Sequence, residues 1–301
     1  MPEIPPPRAS GLTTTTAVPL YWCAYGVEGG PRVLLLHGGP GAHHDYLLPQ
    51  MLQLVNADGA PSRELVFYDQ RGGGRSRTDD RAAEGNVTWQ THVDDLERVV
   101  AELGLEPLTL IGYSWGGLLA LLYARDAAAG RVRPAPARLV LIDPAPMTRA
   151  FRRQFEDEFA RRQASPEVQA LREELAQSGL RERDPAQHRQ RSFELSVAGY
   201  FADPRAARNL TPFRVTGRVQ QSVWESLGDY DLLADPILDS IHCPTLVVHG
   251  RQDPIPLASS EGCARALGAR WVVLDQSGHV PYVEQPDALF GAIEQFLSSD
   301  S

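Results

Sequence analysis

The sequence predicts an α/β protein: a mostly parallel central sheet with helices on both faces. Three observations carry this. Short, strongly apolar runs recur at residues 33–36, 64–68, 138–142, 245–248 and 271–274, each closed by turn-forming residues. Runs of that length and character suit strands covered on both faces. Stretches with helical spacing alternate with them, which is the pattern of βα units. The alternation then breaks between residues 146 and 236, where only helical patterns occur. The expected organisation is a core of residues 1–145 and 237–301 with a helical cap, 146–236, inserted before the last core strands. Such a cap would lie over the carboxyl ends of the strands, where open α/β sheets bind ligands.

Residues 1–11 are proline-rich and should be loose or extended, and 13–25, rich in threonine and aromatics, read as β-like. The run VLLL at 33–36 leads into HGGPG at 37–41. Residues 47–55 are expected as a helix, and the strand at 64–68 leads into DQRGGGRS at 69–76. A helix should start at Thr88 and stop at Gly104, with Val93, Leu96, Val99, Val100 and Leu103 on one face. In the cap, Phe151, Phe155 and Phe159 recur at helical spacing. Ser165-Pro166, Asp184-Pro185 and Asp203-Pro204 each place a capping side chain before a proline, a helix-start signal. A last cap helix is expected at 215–227, and core helices at 259–267 and 286–297.

The chain has 301 residues, 43% hydrophobic and 22% charged, with a formal net charge of −9. That composition builds a large core and argues against a nucleic-acid partner, which favours basic surfaces. Three widely spaced cysteines, Cys23, Cys243 and Cys263, show neither metal spacing nor a disulfide framework; buried thiols are expected, at Cys23 and Cys243 above all. No apolar run reaches the ~20 residues that span a bilayer, and the first residues lack an apolar leader core, so the expectation is a cytoplasmic protein without a membrane partner.

The chemistry centres on residues 108–122, LTLIGYSWGGLLALL. An apolar strand, the turn Gly112-Tyr113-Ser114-Trp115-Gly116 and an apolar helix make a G-x-S-x-G elbow in its proper context. A serine on such a turn needs small neighbours, and the helix start brings free N–H groups beside it. A serine hydroxyl also needs a base, and the base an orienting acid, in the chain order Ser, Asp or Glu, His. Among the histidines after Ser114, His279 lies in a loop directly after the last strand, where it can reach the sheet's carboxyl edge. His188 falls in a charged helix, His242 precedes a strand, and His249 suits a brace for the turn it begins. Asp253, just past the penultimate strand, is the favoured acid. Asp143, at the end of the strand before the cap, is its rival, and its other reading is a turn cap before Pro144. Trp115 should give one backbone N–H to an oxyanion, and Gly39, with Gly38 next, the other.

Together HGGPG, DQRGGGRS, GYSWGG at 112–117, HGRQD at 249–253 and SGHVPYVEQP at 277–286 resemble the prolyl iminopeptidase branch of the α/β-hydrolase fold. The resemblance covers the core at both ends of the chain. It implies an aminopeptidase that releases an N-terminal residue, often proline, from short peptides, without a metal or organic cofactor. It also implies cap carboxylates that hold the substrate's free α-amino group. No motif places these; Glu194 and Glu225, each beside an aromatic residue, are the candidates, with Asp229 third, and pairing with cap arginines is the competing role. Tyr113, Trp115 and Trp224 are candidate walls for a proline ring or acyl chain. Lacking a cap carboxylate, the same core would serve a carboxylesterase or lactonase acting on small acyl substrates. A non-catalytic receptor or interaction protein on this scaffold is the third reading, weakened because every member of the serine constellation is present. Oligomeric state is not legible.

Overall fold

A computed structural model describes residues 4–56, 62–77 and 86–299. Its strands are β1 Ala9–Leu12, β2 Tyr21–Gly26, β3 Arg32–Leu36, β4 Glu64–Tyr68, β5 Thr109–Tyr113, β6 Arg138–Ile142, β7 Thr245–Gly250 and β8 Arg270–Leu274. They form one eight-stranded sheet in the order β1-β2-β4-β3-β5-β6-β7-β8. From β4 to β8 every neighbouring pair is parallel, and β2 runs antiparallel to both β1 and β4.

The strands read as continuous apolar runs because both faces are covered. Leu34 and Leu36 of β3 enter one hydrophobic cluster while Val33 and Leu35 enter another, so alternate side chains feed opposite layers. Helix α1, Trp89–Leu103, starts on a reciprocal cap: Thr91 N–H donates to the Thr88 hydroxyl, and Thr88 N–H donates to the Thr91 hydroxyl. It stops at Gly104, whose φ of 63° is left-handed. Helix α2, Trp115–Ala128, follows β5 and is buried along most of its length.

Between β6 and β7 lie α3 Arg149–Gln163, α4 Pro166–Gln177, α5 Pro185–Val197 and α6 Gly217–Leu227, linked by shorter turns. Ser165 and Asp184 accept the backbone N–H groups that their sequence positions suggest. Helices α7 Leu257–Ala266 and α8 Pro286–Ser298 complete the layers. No helix among the described residues is long and apolar enough to cross a membrane.

Three local expectations change. The segment 13–25 is not one strand: Thr14 and Thr15 donate their N–H groups to Glu102, and Leu20 N–H donates to the Thr13 hydroxyl, so the threonines form a turn between β1 and β2. Part of the proline-rich start becomes β1; residues 1–3 lie outside the described residues. The expected helix at 47–55 is two 3₁₀ stretches, His44–Leu47 and Gln50–Val55, separated at Pro49, which has no N–H to carry a helix through. Cys23 and Cys263 are buried, whereas Cys243 is only half-buried, because it precedes β7 in the approaching loop.

Candidate active site

The elbow is strained as well as crowded. Ser114 has φ 54° and ψ −120°, outside the regions that side chains favour. It is held by its N–H on Ile142 O at 3.0 Å and by its carbonyl, which accepts from Gly117, Leu118 and Ala145. A Cβ at Gly112 would lie 2.3 Å from Gly116 O, and one at Gly116 2.1 Å from Leu36 O, which is why glycines flank the turn. The serine hydroxyl therefore stands at the carboxyl edge of the middle of the sheet.

Two loops complete the arrangement. His279 Nε2 lies 3.0 Å from Ser114 Oγ, and its Nδ1 lies 2.7 Å from Asp253 Oδ2. Asp253 follows β7, its other oxygen accepts Ile255 N–H at 2.7 Å, and its side chain is fully buried. His279 N–H donates to Tyr200 O, and the Tyr113 hydroxyl donates to His279 O at 2.9 Å, so the imidazole has backbone anchors on two sides. Burial pulls His279 down to about 4, toward the neutral form that can accept a proton. Burial also pushes Asp253 up, while the Ile255 N–H bonded to it pulls the other way.

The first glycine loop and the elbow bring further backbone groups beside the serine. Gly39, at φ 98°, lines the cavity beside Ser114, and among the described residues neither its N–H nor that of Trp115 has a hydrogen-bond partner. Gly38 is different: its N–H donates to the Tyr46 hydroxyl at 2.6 Å, and a Cβ there would meet Ser114 Cβ at 2.9 Å. Its role is close approach. The Trp115 indole N–H donates to Gln70 Oε1, Gln70 Nε2 donates to His37 O, and Gln70 N–H donates to His37 Nε2. One glutamine from DQRGGGRS thus ties HGGPG to the elbow.

The rest of DQRGGGRS is structural. Arg71 makes a two-pronged pair with Asp95 of α1, both buried. Asp69 accepts His44 Nδ1 at 2.7 Å and Arg75 N–H at 2.8 Å. Despite burial, the hydrogen bonds and the imidazole beside it hold Asp69 down at about 2, and bonding to Asp69 and to Cys23 raises His44 to about 10. His44 is raised, so its share of stability is complete below the ordinary histidine range and is lost as pH rises through about 10. Asp69 is lowered, so its share is complete above the ordinary carboxylate range and is lost as pH falls through about 2. Asp69→Asn should therefore cost most, about 3–5 kcal/mol, between about pH 4 and 6.5 and progressively less toward pH 10. Denaturant unfolding of both proteins across that range checks this; a pH-independent difference would show a neutral hydrogen bond instead.

The cavity at Ser114 holds about 300 Å³. Tyr46, Tyr113 and Tyr282 line it from the core; Phe193, Tyr200 and Phe213 line it from the segment between β6 and β7. Among the described residues no carboxylate lines it. Tyr113 thus stands where expected. Glu194 does not: it accepts from Gln190 and Arg191 and faces a separate hollow with Arg205 and Arg208. It lies one residue, about 100°, around α5 from Phe193, which does face the cavity. Glu225 is exposed and accepts from Gln221. Val219 and Val223 set the buried face of α6, and Glu225 falls on the other side. Asp229 is exposed beside Arg149. The Trp115 and Trp224 rings pack on each other, 5.5 Å between centroids, away from the cavity lining, with Arg152 over Trp224. His249 braces its turn as expected, bonding Ile255 O and Ser260 Oγ.

Sequence reasoning missed Tyr46, Tyr200, Tyr282, Phe193 and Phe213. It also missed Glu284, which accepts the N–H groups of Ala202 and Gly278 beneath the His279 loop and which burial raises to about 7. Its place five residues after His279 was the available signal.

A buried histidine between a serine on a strained elbow and a carboxyl, with two N–H groups beside them, defines a hydrolase-type site on this sheet. The chain belongs to the α/β-hydrolase family, whose sequence model, described as alpha/beta hydrolase fold, matches residues 31–286. Within it the chain is proline iminopeptidase-like. It is 30% identical over 303 residues to a proline iminopeptidase of Levilactobacillus brevis, covering 93% of this chain and 94% of that one. It is 28% identical to a proline iminopeptidase of Lactobacillus delbrueckii subsp. bulgaricus, covering 84% and 85%. The crystal structure of a proline iminopeptidase-related protein from Thermus thermophilus shares the fold, with a TM-score of 0.70, 23% identity and 96% and 97% coverage.

Proposed function

We propose that this hydrolase works through a serine nucleophile and releases an N-terminal residue, proline favoured, from short peptides. The observation carrying the mechanism is the unbroken chain from Ser114 Oγ through His279 to Asp253, beside the unpaired N–H groups of Gly39 and Trp115. His279 takes the Ser114 proton as the hydroxyl oxygen bonds to the scissile carbonyl carbon. Asp253 holds the ring so that Nε2 faces the serine and stabilises the imidazolium. The two N–H groups receive the oxyanion. His279 then gives the proton to the departing amine and an acyl-enzyme forms; water, deprotonated by His279, attacks it, and His279 returns that proton to Ser114 Oγ as the acid leaves. The names of the similar proteins support the peptidase reading.

One observation favours a second reading, a carboxylesterase: the described walls of the cavity are aromatic, aliphatic and neutral polar, without a carboxylate for an ammonium group. Initial rates on proline p-nitroanilide, its N-acetyl form and p-nitrophenyl butyrate separate the two. The peptidase reading expects the free-amine anilide to be cleaved at least about tenfold faster than the acetylated one, the scale of one charge-assisted contact. Turnover of the ester alone, lost in Ser114→Ala, would move the assignment to an esterase.

A further inference from the structure

Behind the site stands a second acid that the mechanism above does not use. Asp143 follows β6 in a left-handed backbone conformation, φ 40°, and its side chain is completely buried. Its Oδ1 accepts Gly250 N–H at 2.7 Å, while its Oδ2, also buried, faces no N–H donor among the described residues, and the Asp253 carboxyl is within its reach. Asp143, His249 and Asp253 bring a ligating atom each to within 4.8 Å of one another. His249 is a neutral brace in this cluster, because Ile255 O and Ser260 Oγ engage its two ring nitrogens. That leaves two carboxyls face to face. Two carboxylates this close and this fully buried repel each other strongly, which favours one proton on the pair.

The geometry points to that proton residing on Asp143 Oδ2 and being donated in a hydrogen bond to Asp253, which makes Asp143 a positioning residue for the Asp253–His279 pair. This rests on the roles proposed above for Asp253 and His279. Asp253 is the anionic partner because its oxygens already face donors, Ile255 N–H and His279 Nδ1, whereas Oδ2 of Asp143 receives no donor and can bond the neighbouring carboxyl only as the donor itself. Burial also raises the Asp143 carboxyl well above its ordinary range. The other groups that bear on the pair are the Tyr113, Tyr200 and Tyr282 hydroxyls, Glu284 and Arg162. No proton is consumed: when His279 becomes a cation during the reaction, the shared proton stays on Asp143.

The experiment compares wild type, Asp143→Asn, Asp143→Leu and Asp253→Asn by kcat, KM and the pH profile of kcat/KM with p-nitrophenyl butyrate. Infrared difference spectra of wild type against Asp143→Asn at pH 7 are recorded without substrate. Asp143→Leu removes the donor, so kcat should fall about 10- to 100-fold, the worth of one hydrogen bond to a charged group, with KM little changed. Without that donor the Asp253 carboxylate becomes more basic, holds the imidazolium harder and moves the acid limb to higher pH. The asparagine amide restores the donor, so Asp143→Asn should recover most of the lost kcat and leave the limb in place. The difference spectrum should show the carbonyl stretch of a neutral carboxylic acid belonging to Asp143. A carboxylate band in its place, an acid limb lowered by Asp143→Asn, equal damage from Asn and Leu, or an active Asp253→Asn would each overturn the proposal. The infrared readout stands even if Asp143→Leu fails to fold or the substrate reading is wrong.

Discussion

Ser114→Ala should abolish hydrolysis, lowering kcat/KM by about 10⁴-fold or more on any substrate the enzyme accepts. In the proposed mechanism the hydroxyl oxygen forms the covalent bond, and alanine offers no substitute. His279→Ala should be similarly damaging, and the double variant should be little worse than either single one, because the residues act as one unit. Thermal unfolding should barely move, since the alanine side chain fits within the volume of serine and the turn is held by its backbone bonds to Ile142, Gly117, Leu118 and Ala145. Covalent labelling by a fluorophosphonate should vanish with Ser114. A variant that still turns over substrate at a tenth of the wild-type rate would place the nucleophile elsewhere.

A loss of stability as large as that of Asp69→Asn is expected from breaking the pair between Arg71 and Asp95. Both are buried, and the two hydrogen bonds measure 2.8 and 2.6 Å. Burial raises Asp95 despite the guanidinium, a sign that removing the pair from water costs as much as the attraction returns. Asp95→Ala leaves a cation without its counter-charge and should cost about 3–5 kcal/mol. At roughly 2–4 °C per kcal/mol for a chain of this size class, melting should fall by about 6–20 °C. The double replacement Arg71→Met with Asp95→Leu should cost far less than Asp95→Ala, because no charge is then stranded. Calorimetry on the three variants decides; a double variant worse than the single would mean the pair is a net source of stability.

The sheet was legible because its strands announce themselves as short apolar runs, and the elbow because few chemistries need Gly112 and Gly116 around a serine. His279 and Asp253 were legible for the same reason: each follows a strand, so the sheet delivers it to one edge. The cavity was not. A helical pattern gives the period of α5 and α6 but not their rotation against the core, and one residue of rotation separates Phe193, which faces Ser114, from Glu194, which does not. Trp115 shows a second limit. Its backbone adjoins Ser114 while its ring turns to Gln70 and Trp224, and sequence treats the residue as one object. Asp143 was visible as a competitor of Asp253; that the two stand together follows only from the adjacency of β6 and β7.

The cavity walls have two origins, the tyrosines of the core and the aromatic and aliphatic side chains of the segment between β6 and β7. Ser114 and His279, to which the proposed reaction is assigned, belong to the core and not to that segment. Substitutions at Phe193, Leu210 or Phe213 can therefore recast what fits without disturbing Ser114, His279 or the N–H groups beside them. Under the proposed mechanism the part of the chain that decides what fits is separable from the part that reacts, and the shortest path to a new substrate runs through the segment between β6 and β7.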